Sequence, residues 1–320
     1  MHILVTGASG FVGRALLSRL DSEGQHLLRA AFRPSSETVM DRERIERTVI
    51  SGLDPETDWS AALHNIEAVV HCAARVHVMN ETASDPLAEF RRINLEGSLA
   101  LARQAQQAGV QRFIFLSSIK VNGEQTRLGR PFTADDKPAP TDPYGISKME
   151  AEQALLELGR TGKMQVVIIR PVLVYGPGVK ANFLSMMRWL DKGMPLPLGG
   201  ITQNRRSLVA LDNLVDLITV CLAHPAAAGQ VFLASDGEDL STTGMLQRLG
   251  RALDKSPTLL PVPASWLTLA ARLMGKKGIA QRLCGSLQVD ISKNRELLGW
   301  SPPITVDAAF RKTVDAYRRA

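Results

Sequence analysis

The chain contains little cysteine, and its cysteines form no pattern. Its 320 residues include three, Cys72, Cys221 and Cys284, which lie far apart and are odd in number. Neither a metal-ligand spacing nor a disulfide framework can be drawn from them. The sequence therefore predicts no metal site and a reducing compartment, for which we expect the cytoplasm.

Long hydrophobic runs are also missing. No apolar run reaches the ~18 residues that a membrane-spanning helix needs. No charged leader precedes the first predicted strand, so a signal peptide is not expected. The apolar stretch 265–274, which Lys276 and Lys277 follow, is interpreted as a core helix with a basic C-terminal end. A helix lying on a membrane surface is the alternative interpretation.

Basic runs with interleaved aromatic residues are absent too, which argues against nucleic acid as a partner. Hydrophobic residues make up 45% of the chain and charged residues 22%, which is ordinary for a globular protein. The net charge of +6 and the pI near 9.4 are mildly basic. This excess fits a site for an anionic ligand such as a nucleotide diphosphate.

Strand and helix patterns alternate up to about residue 170. Strands are predicted at 2–5, 27–32, 48–51, 68–72, 112–117 and 165–169, and helices at 14–22, 59–64, 86–108 and 143–159. Such alternation predicts an α/β fold with a Rossmann-type, doubly wound parallel sheet. Residues 1–170 are thus expected to form a dinucleotide-binding domain, and 171–320 a smaller mixed α/β substrate domain. Residues 231–234 are expected to return to the main sheet as a strand.

Three glycines follow the first predicted strand directly. Gly7, Gly10 and Gly13 form G-x-x-G-x-x-G, and a helix pattern begins behind them. Glycine lets the backbone turn tightly and approach a phosphate, and a helix N-terminus offers free N–H groups. The segment predicts a dinucleotide site that also includes Ser9, Phe11 and Val12.

The end of the second strand bears on the choice between NAD and NADP. A carboxylate there would bind the ribose 2′-hydroxyl, whereas an arginine would pair with a 2′-phosphate. The chain has Arg33 at this place and no acid beside it. This favours NADP (NADPH), with NAD as the alternative.

A phenol and an ammonium lie about one helical turn apart in Tyr144-Gly145-Ile146-Ser147-Lys148. A phenol with an ordinary pKa near 10 needs a neighbouring cation to exchange a proton near neutrality. Together with the upstream glycines, the pair predicts an oxidoreductase that moves a proton beside a hydride.

Several further segments carry a family resemblance. They are Val70-His71-Cys72-Ala73-Ala74, Ile93-Asn94-Leu95-Glu96-Gly97, Leu116-Ser117-Ser118, Ile169-Arg170-Pro171, Tyr175-Gly176-Pro177-Gly178 and Arg206-Ser207-Leu208-Val209. With the glycine segment and the Tyr144 segment, they make the chain resemble extended short-chain dehydrogenases/reductases of the NAD-dependent epimerase/dehydratase family, which modify nucleotide-activated sugars. The resemblance covers nearly the whole chain. It is greatest to 4-keto-reductases that make UDP-N-acetylquinovosamine and to UDP-sugar 4-epimerases.

The resemblance implies roles for particular residues. Tyr144 would exchange the proton, Lys148 would lower its pKa and hold the nicotinamide ribose, and Ser118 would bind the reacting oxygen. Further cofactor contacts are implied for Leu53, Cys72, Ala73, Ala74, Asn94, Pro171 and Val174. Substrate contacts are implied for Ser118, Lys120, Asn182, Arg206 and Arg282. The partner would be a UDP-sugar, and a homodimer through helices 86–108 and 143–159 is expected.

Departures from the family pattern narrow the reaction. Sugar dehydratases carry an acid directly after the catalytic hydroxyl, and Ile119 stands there, so dehydration is not expected. Two enzyme reactions remain. Arg33 favours a consumable NADPH and hence reduction at C4 of a UDP-4-keto-6-deoxy-N-acetylhexosamine for surface polysaccharide. The alternative is a UDP-hexose or UDP-N-acetylhexosamine 4-epimerase. A non-catalytic dinucleotide sensor is disfavoured, because Tyr144 and Lys148 are both present.

Overall fold

The fold is built on a parallel sheet of seven strands. A computed structural model describes residues 1–34, 44–76, 85–275 and 277–319. The strand order is β3-β2-β1-β4-β5-β6-β9, and every pairing is parallel. These strands are β1 (His2–Thr6), β2 (Leu27–Phe32), β3 (Ile45–Val49), β4 (Ala68–His71), β5 (Arg112–Leu116), β6 (Gln165–Pro171) and β9 (Val231–Ala234). The order reverses between β1 and β4, which opens a crevice at the carboxyl ends of the strands.

Helices cover both faces of this sheet, as the sequence predicted. The N-terminal ones are α1 (Phe11–Glu23), α2 (Ser60–Leu63), α3 (Pro86–Phe90), α4 (Ser98–Gln107) and α5 (Pro143–Thr161). Ile3 and Val5 of β1 pack into one core with α1, whereas Leu4 packs into a second core with α4 and α5. Successive strand residues therefore enter opposite cores, so both faces of these strands are buried. This explains why their sequences are continuous apolar runs.

The C-terminal half contains a smaller mixed sheet of three strands, in the order β10-β8-β7. They are β7 (Leu173–Tyr175), β8 (Arg206–Ala210) and β10 (Asp239–Leu240). The remaining helices are α6 (Ala181–Asp191), α7 (Leu211–Ala223), α8 (Thr242–Ala252), α9 (Ala264–Leu273), α10 (Lys277–Cys284), α11 (Ser292–Leu298) and α12 (Val306–Arg318). A third core joins α6, α8 and α12, with stacked rings of Tyr175 and Phe183 whose centroids are 5.5 Å apart.

Residues 231–234 return to the main sheet, as expected. They form β9, which pairs with β6 through Ile168 and Val231. The division of the chain at residue 170 stays a prediction.

Two predicted elements differ from the structure. The helix expected at 86–108 is interrupted by a π-helical segment, Arg91–Gly97, between α3 and α4. The stretch 265–274 is helical, but it is not a core helix, because most of its large apolar side chains are exposed. None of the described helices is long and apolar enough to cross a membrane.

Candidate active site

The glycine turn after β1 forms a cradle in the crevice. Gly7 has a φ of +65°, and a Cβ atom there would lie 2.7 Å from the backbone nitrogen of Ala73. A Cβ atom on Gly13 would lie 2.2 Å from the carbonyl oxygen of Gly7. Helix α1 then begins at Phe11, and no side chain caps its N-terminal N–H groups. Only glycine fits these places, and the open N–H groups suit a phosphate.

The loop after β4 lies beside this cradle and contains Cys72, Ala73 and Ala74. The backbone nitrogen of Ala73 donates a hydrogen bond of 3.3 Å to Thr6 Oγ1. Thr6 Oγ1 also bonds His71 Nδ1 at 2.6 Å, and His71 Nε2 bonds Ser98 Oγ at 2.9 Å. Burial lowers the pKa of His71 to about 3, so the ring is neutral. Burial raises the pKa of the Cys72 thiol to about 12, so Cys72 is not a nucleophile near neutrality.

The opposite side of the crevice contains the residues predicted to contact the adenosine. Leu53 packs its backbone against Gly97, where a Cβ atom would come within 3.0 Å of the Leu53 carbonyl carbon. The nearby Asp54 carboxylate accepts hydrogen bonds from Glu56 N (3.1 Å) and Thr57 Oγ1 (3.2 Å) within its own loop. Arg33 is exposed at the end of β2. Their contacts with a cofactor stay predictions.

The structure brings Tyr144 and Ser118 together. Tyr144 lies in the first turn of α5, and Ser118 follows β5 closely enough to Tyr144 for its hydroxyl to lower the pKa of the phenol. Burial and, to a smaller extent, the Asp142 carboxylate raise the pKa of Tyr144 to about 12, although the Ser118 hydroxyl acts to lower it. The edge of the Phe90 ring packs near Tyr144, with ring centroids 6.0 Å apart.

Lys148 lies one turn further along α5 and is only 1% exposed. Its Nζ lies 3.8 Å from the centroid of the Phe115 ring and has no hydrogen-bond partner among the described residues. Burial lowers the pKa of Lys148 to about 7, while the Glu152 carboxylate raises it. A buried ammonium with open donors beside the glycine cradle fits the ribose hydroxyls of a dinucleotide. The residues present therefore suit a nicotinamide dinucleotide as cofactor.

Asn94 ties α5 to the loop after β4. Its amide accepts a hydrogen bond from Arg75 N (2.8 Å) and donates to Arg75 O (3.0 Å) and to Ser147 Oγ (3.1 Å). Asn94 lies in the π-helical segment, a form that often marks functional sites. The contacts place Asn94 behind the backbone that carries Tyr144 and Lys148.

Of the five predicted substrate residues, three lie in the C-terminal half of the chain, and the structure brings two of these three together. Arg206, at the start of β8, donates a hydrogen bond of 3.3 Å to Gly285 O. Burial and the positive charge of Arg282 lower the pKa of Arg206. Within the described part of the chain, neither guanidinium has a carboxylate partner. Paired arginines of this kind suit a diphosphate. Asn182 is exposed in the first turn of α6.

The segment 175–178 begins with a side chain that points away from the crevice. The Tyr175 hydroxyl donates a hydrogen bond of 2.8 Å to Asp236 Oδ2 in the C-terminal part. Pro171 ends β6, and Val174 on β7 packs against the main core. Pro171 lies at the carboxyl edge of the sheet, and its contact and that of Val174 with a cofactor stay predictions.

Residues 3–234 match the sequence family described as NAD dependent epimerase/dehydratase family. The chain belongs to this family. It is therefore an enzyme of the NAD-dependent epimerase/dehydratase type that acts on nucleotide sugars, as the motifs indicated. The preference for NADP that Arg33 suggests stays a prediction.

Individual relatives agree with this assignment. A UDP-glucose 4-epimerase of Vibrio cholerae is 49% identical over 318 residues, which cover 99% of this chain and 96% of that protein. UDP-glucuronic acid 4-epimerase from Bacillus cereus, solved with NAD, superposes with a TM-score of 0.80 at 21% identity, covering 100% and 99% of the two chains. MoeE5 in complex with UDP-glucose and NAD has a TM-score of 0.77 at 21% identity, with coverage of 100% and 99%. The two structures support the fold.

Four residues at the epimerase/dehydratase site were not predicted. Asp142, which lies two residues before Tyr144, forms an ion pair with Lys120 and so holds this lysine near the start of α5. Arg170 binds the Glu152 carboxylate through Nη2 at 2.6 Å and Asn122 Oδ1 through Nη1 at 2.9 Å. Asp142 had a sequence signal, because an Asp before Pro143 is a typical N-cap. The contacts of Arg170 join residues that are far apart in the sequence, so no local sequence signal could have predicted them.

Proposed function

We propose that this enzyme is a UDP-sugar 4-epimerase. The observation that carries the proposal is that the Ser118 hydroxyl acts on the Tyr144 phenol while the buried Lys148, one helical turn away, has no hydrogen-bond partner among the described residues, in a chain so similar to a protein named UDP-glucose 4-epimerase. A phenol, a hydroxyl and an ammonium in this arrangement suit reversible proton exchange at a sugar hydroxyl.

The residues divide the chemistry between them. Tyr144 Oη takes the proton of the C4 hydroxyl and later returns it to the C4 carbonyl oxygen. Ser118 hydrogen-bonds that oxygen, and Lys148 stabilises the phenolate by its positive charge. A bound nicotinamide dinucleotide, held by the glycine cradle and Lys148, supplies hydride acceptance and donation. Arg206 and Arg282 hold the diphosphate of the substrate by charge-assisted hydrogen bonds.

The same site argues against dehydration. Elimination of water needs an acid and a base besides the tyrosine. Ile119 is buried and apolar, and Lys120 is engaged by the Asp142 carboxylate. Neither residue can supply the second proton transfer that a dehydratase uses.

Reduction at C4 of a UDP-4-keto-6-deoxy-N-acetylhexosamine is the second candidate. The specific observation in its favour is Arg33, whose exposed guanidinium follows the end of β2. An acidic residue at this place is typical of enzymes that bind NAD, whereas an arginine suits the 2′-phosphate of NADP. A reductase needs a cofactor that exchanges at each turnover, and NADPH is the usual donor for biosynthesis.

The experiment that separates the candidates measures stoichiometry. Purified enzyme is incubated with UDP-N-acetylglucosamine, UDP-glucose and a UDP-4-keto-6-deoxy-N-acetylhexosamine, each with and without NADPH. An epimerase interconverts the gluco and galacto sugars and consumes no added cofactor. If the enzyme instead oxidises one NADPH per 4-keto sugar and leaves the other sugars unchanged, the epimerase proposal is wrong and the reductase takes its place.

A further inference from the structure

Helix α9 presents an apolar stripe to the outside of the molecule. Trp266 is 72% exposed, Leu269 is 59% exposed and Leu273 is 82% exposed. Residues spaced by three and four lie on one helical face, so these side chains form a single row. We call these three residues the α9 stripe. Large apolar side chains so exposed and so aligned mark an interaction surface.

The opposite side of α9 attaches the helix to the protein. Ala271 is buried, and α9 packs against α10, where the Thr268 hydroxyl lowers the pKa of the Cys284 thiol. The α9 stripe therefore contributes nothing to these contacts, and its exposure is not needed to hold the helix in place.

The segment that contains the stripe carries charged residues of one sign. Residues 255–289 contain five basic residues and no acidic residue, in a chain whose net charge is +6. The basic residues are Lys255, Arg272, Lys276, Lys277 and Arg282. Arg272 is exposed at the C-terminal end of α9, beside the stripe. Lys255 is paired with Asp191, so the basic residues that act beside the stripe are Arg272 and the two lysines that follow α9 in the sequence. A surface that joins tryptophan and leucine to positive charge complements a bilayer, which has an apolar interior and anionic headgroups.

We propose that α9 lies in the headgroup region of an anionic lipid bilayer, with the α9 stripe toward the acyl chains. The helix is amphipathic and far too short to span, as expected for an element that lies in the interface. Tryptophan suits the depth of the headgroups, and the basic residues attract anionic lipids. A second copy of the chain fits this face poorly, because pairing two such surfaces brings their positive charges together.

The experiment uses the full chain and two kinds of vesicle. One kind contains phosphatidylcholine alone, and the other contains about one-third phosphatidylglycerol to give a negative surface. We expect sedimentation with the anionic vesicles only, and we expect it to fall as salt rises from about 0.05 M to about 0.5 M. The fluorescence of Trp266 should shift to the blue on binding, and Trp266→Phe should abolish the shift.

Replacing the three residues of the α9 stripe tests whether these side chains are the ones that insert into the bilayer. Combined Trp266→Ser, Leu269→Ser and Leu273→Ser should lower the affinity for anionic vesicles at least about tenfold, because most of the inserted apolar area is removed. Trp189→Ser is the matched control, since Trp189 is 54% exposed on α6, outside the stripe. Far-ultraviolet circular dichroism and the thermal midpoint verify that both variants are folded.

Three results would overturn the proposal. They are no binding to anionic vesicles at low salt, equal binding to both kinds of vesicle, and binding that the triple variant retains. A dimer in solution that the triple variant dissociates would also overturn it, because a second copy would then occupy the stripe. None of these outcomes depends on which sugar reaction the enzyme performs.

Discussion

Tyr144 is the residue on which proton transfer depends. Burial and the Asp142 carboxylate raise its pKa to about 12, so the effect of the Ser118 hydroxyl, which lowers this pKa, matters for reactivity. Tyr144→Phe keeps the ring and removes the proton. We expect kcat to fall by roughly 10²–10⁴, the usual contribution of a positioned acid or base. Steady-state kinetics measures the effect, with Tyr317→Phe as the matched control.

The fold must survive the change for this result to be informative. Cofactor affinity and the thermal midpoint of Tyr144→Phe should match those of the wild type. A kcat within a factor of about two of wild type would remove Tyr144 from the mechanism.

Lys148 carries a stability cost that depends on pH. Its pKa is about 7 in the fold against 10.5 for the free side chain, because burial disfavours the charged form. Below pH 7 the lysine is charged in both states, and the full penalty acts on the fold. As pH rises from 7 to 10.5 the unfolded chain still binds the proton and the folded one does not, so the penalty is relieved.

Lys148→Met should therefore stabilise the cofactor-free protein, and most strongly at or below neutrality. The advantage should shrink by about 1.4 kcal/mol or less per pH unit above that point. Denaturant unfolding across this pH range measures it, and exposed Lys163→Met should show no such trend. An advantage that is constant with pH would mean that Lys148 does not titrate in this window.

The preference for NADPH or NADH is predicted to depend on Arg33. A guanidinium beside a 2′-phosphate is expected to favour NADPH over NADH, because a charge-assisted pair contributes about 1.5–3 kcal/mol. Arg33→Ala should remove most of that difference in titrations of cofactor fluorescence. Arg103→Ala, an exposed arginine on α4, is the control. A wild-type preference for NADH would contradict the interpretation of this strand end.

Among the elements, β6, α5 and the turn after β5 are joined by one buried polar network. Arg170 of β6 binds Glu152 of α5 and Asn122, and Asn122 Nδ2 donates a hydrogen bond of 2.9 Å to Thr133 O. Glu152 raises the pKa of Lys148, so this network also acts on the catalytic helix. The elements are thus held in register at the point where the active site is assembled.

Asn122→Ala should weaken this junction. It removes a hydrogen bond to a buried guanidinium, which contributes about 1.5–3 kcal/mol to the free energy of unfolding. Urea denaturation measures the loss, and Gln107→Ala, an exposed amide on α4, should be neutral. A loss below about 0.5 kcal/mol would show that Arg170 finds another partner without strain.

For the whole molecule, the expected homodimer stays a prediction. The chain has a mass of 34.8 kDa, and sedimentation equilibrium should give twice that value. Helices α4 and α5 are the expected interface. The α9 stripe is elsewhere in the sequence, so the triple serine variant should keep the dimer. A monomeric mass at micromolar concentration would contradict the expectation.

Local sequence determined much of this protein. The glycines at 7 and 13 occupy places that no other residue fits, since a Cβ atom at either would collide with backbone. Alternating apolar strands and helices specify the doubly wound sheet. The spacing of Tyr144 and Lys148 places both on one turn of α5. Such features are local, so one chain suffices to predict them.

Tertiary structure decided the remaining features of the protein, because they depend on residues that are distant in the sequence. The meeting of Arg206 with Arg282 depends on how the segment after α10 pairs with β8 through Gly285 and Leu287, and the Arg170 network joins three separate segments. The outcome for α9 is the clearest case. Its apolar composition predicts a core helix, and this prediction is wrong, because its packing through Ala271 leaves Trp266 and Leu273 exposed. Apolar periodicity specifies a helical face, but not what covers that face.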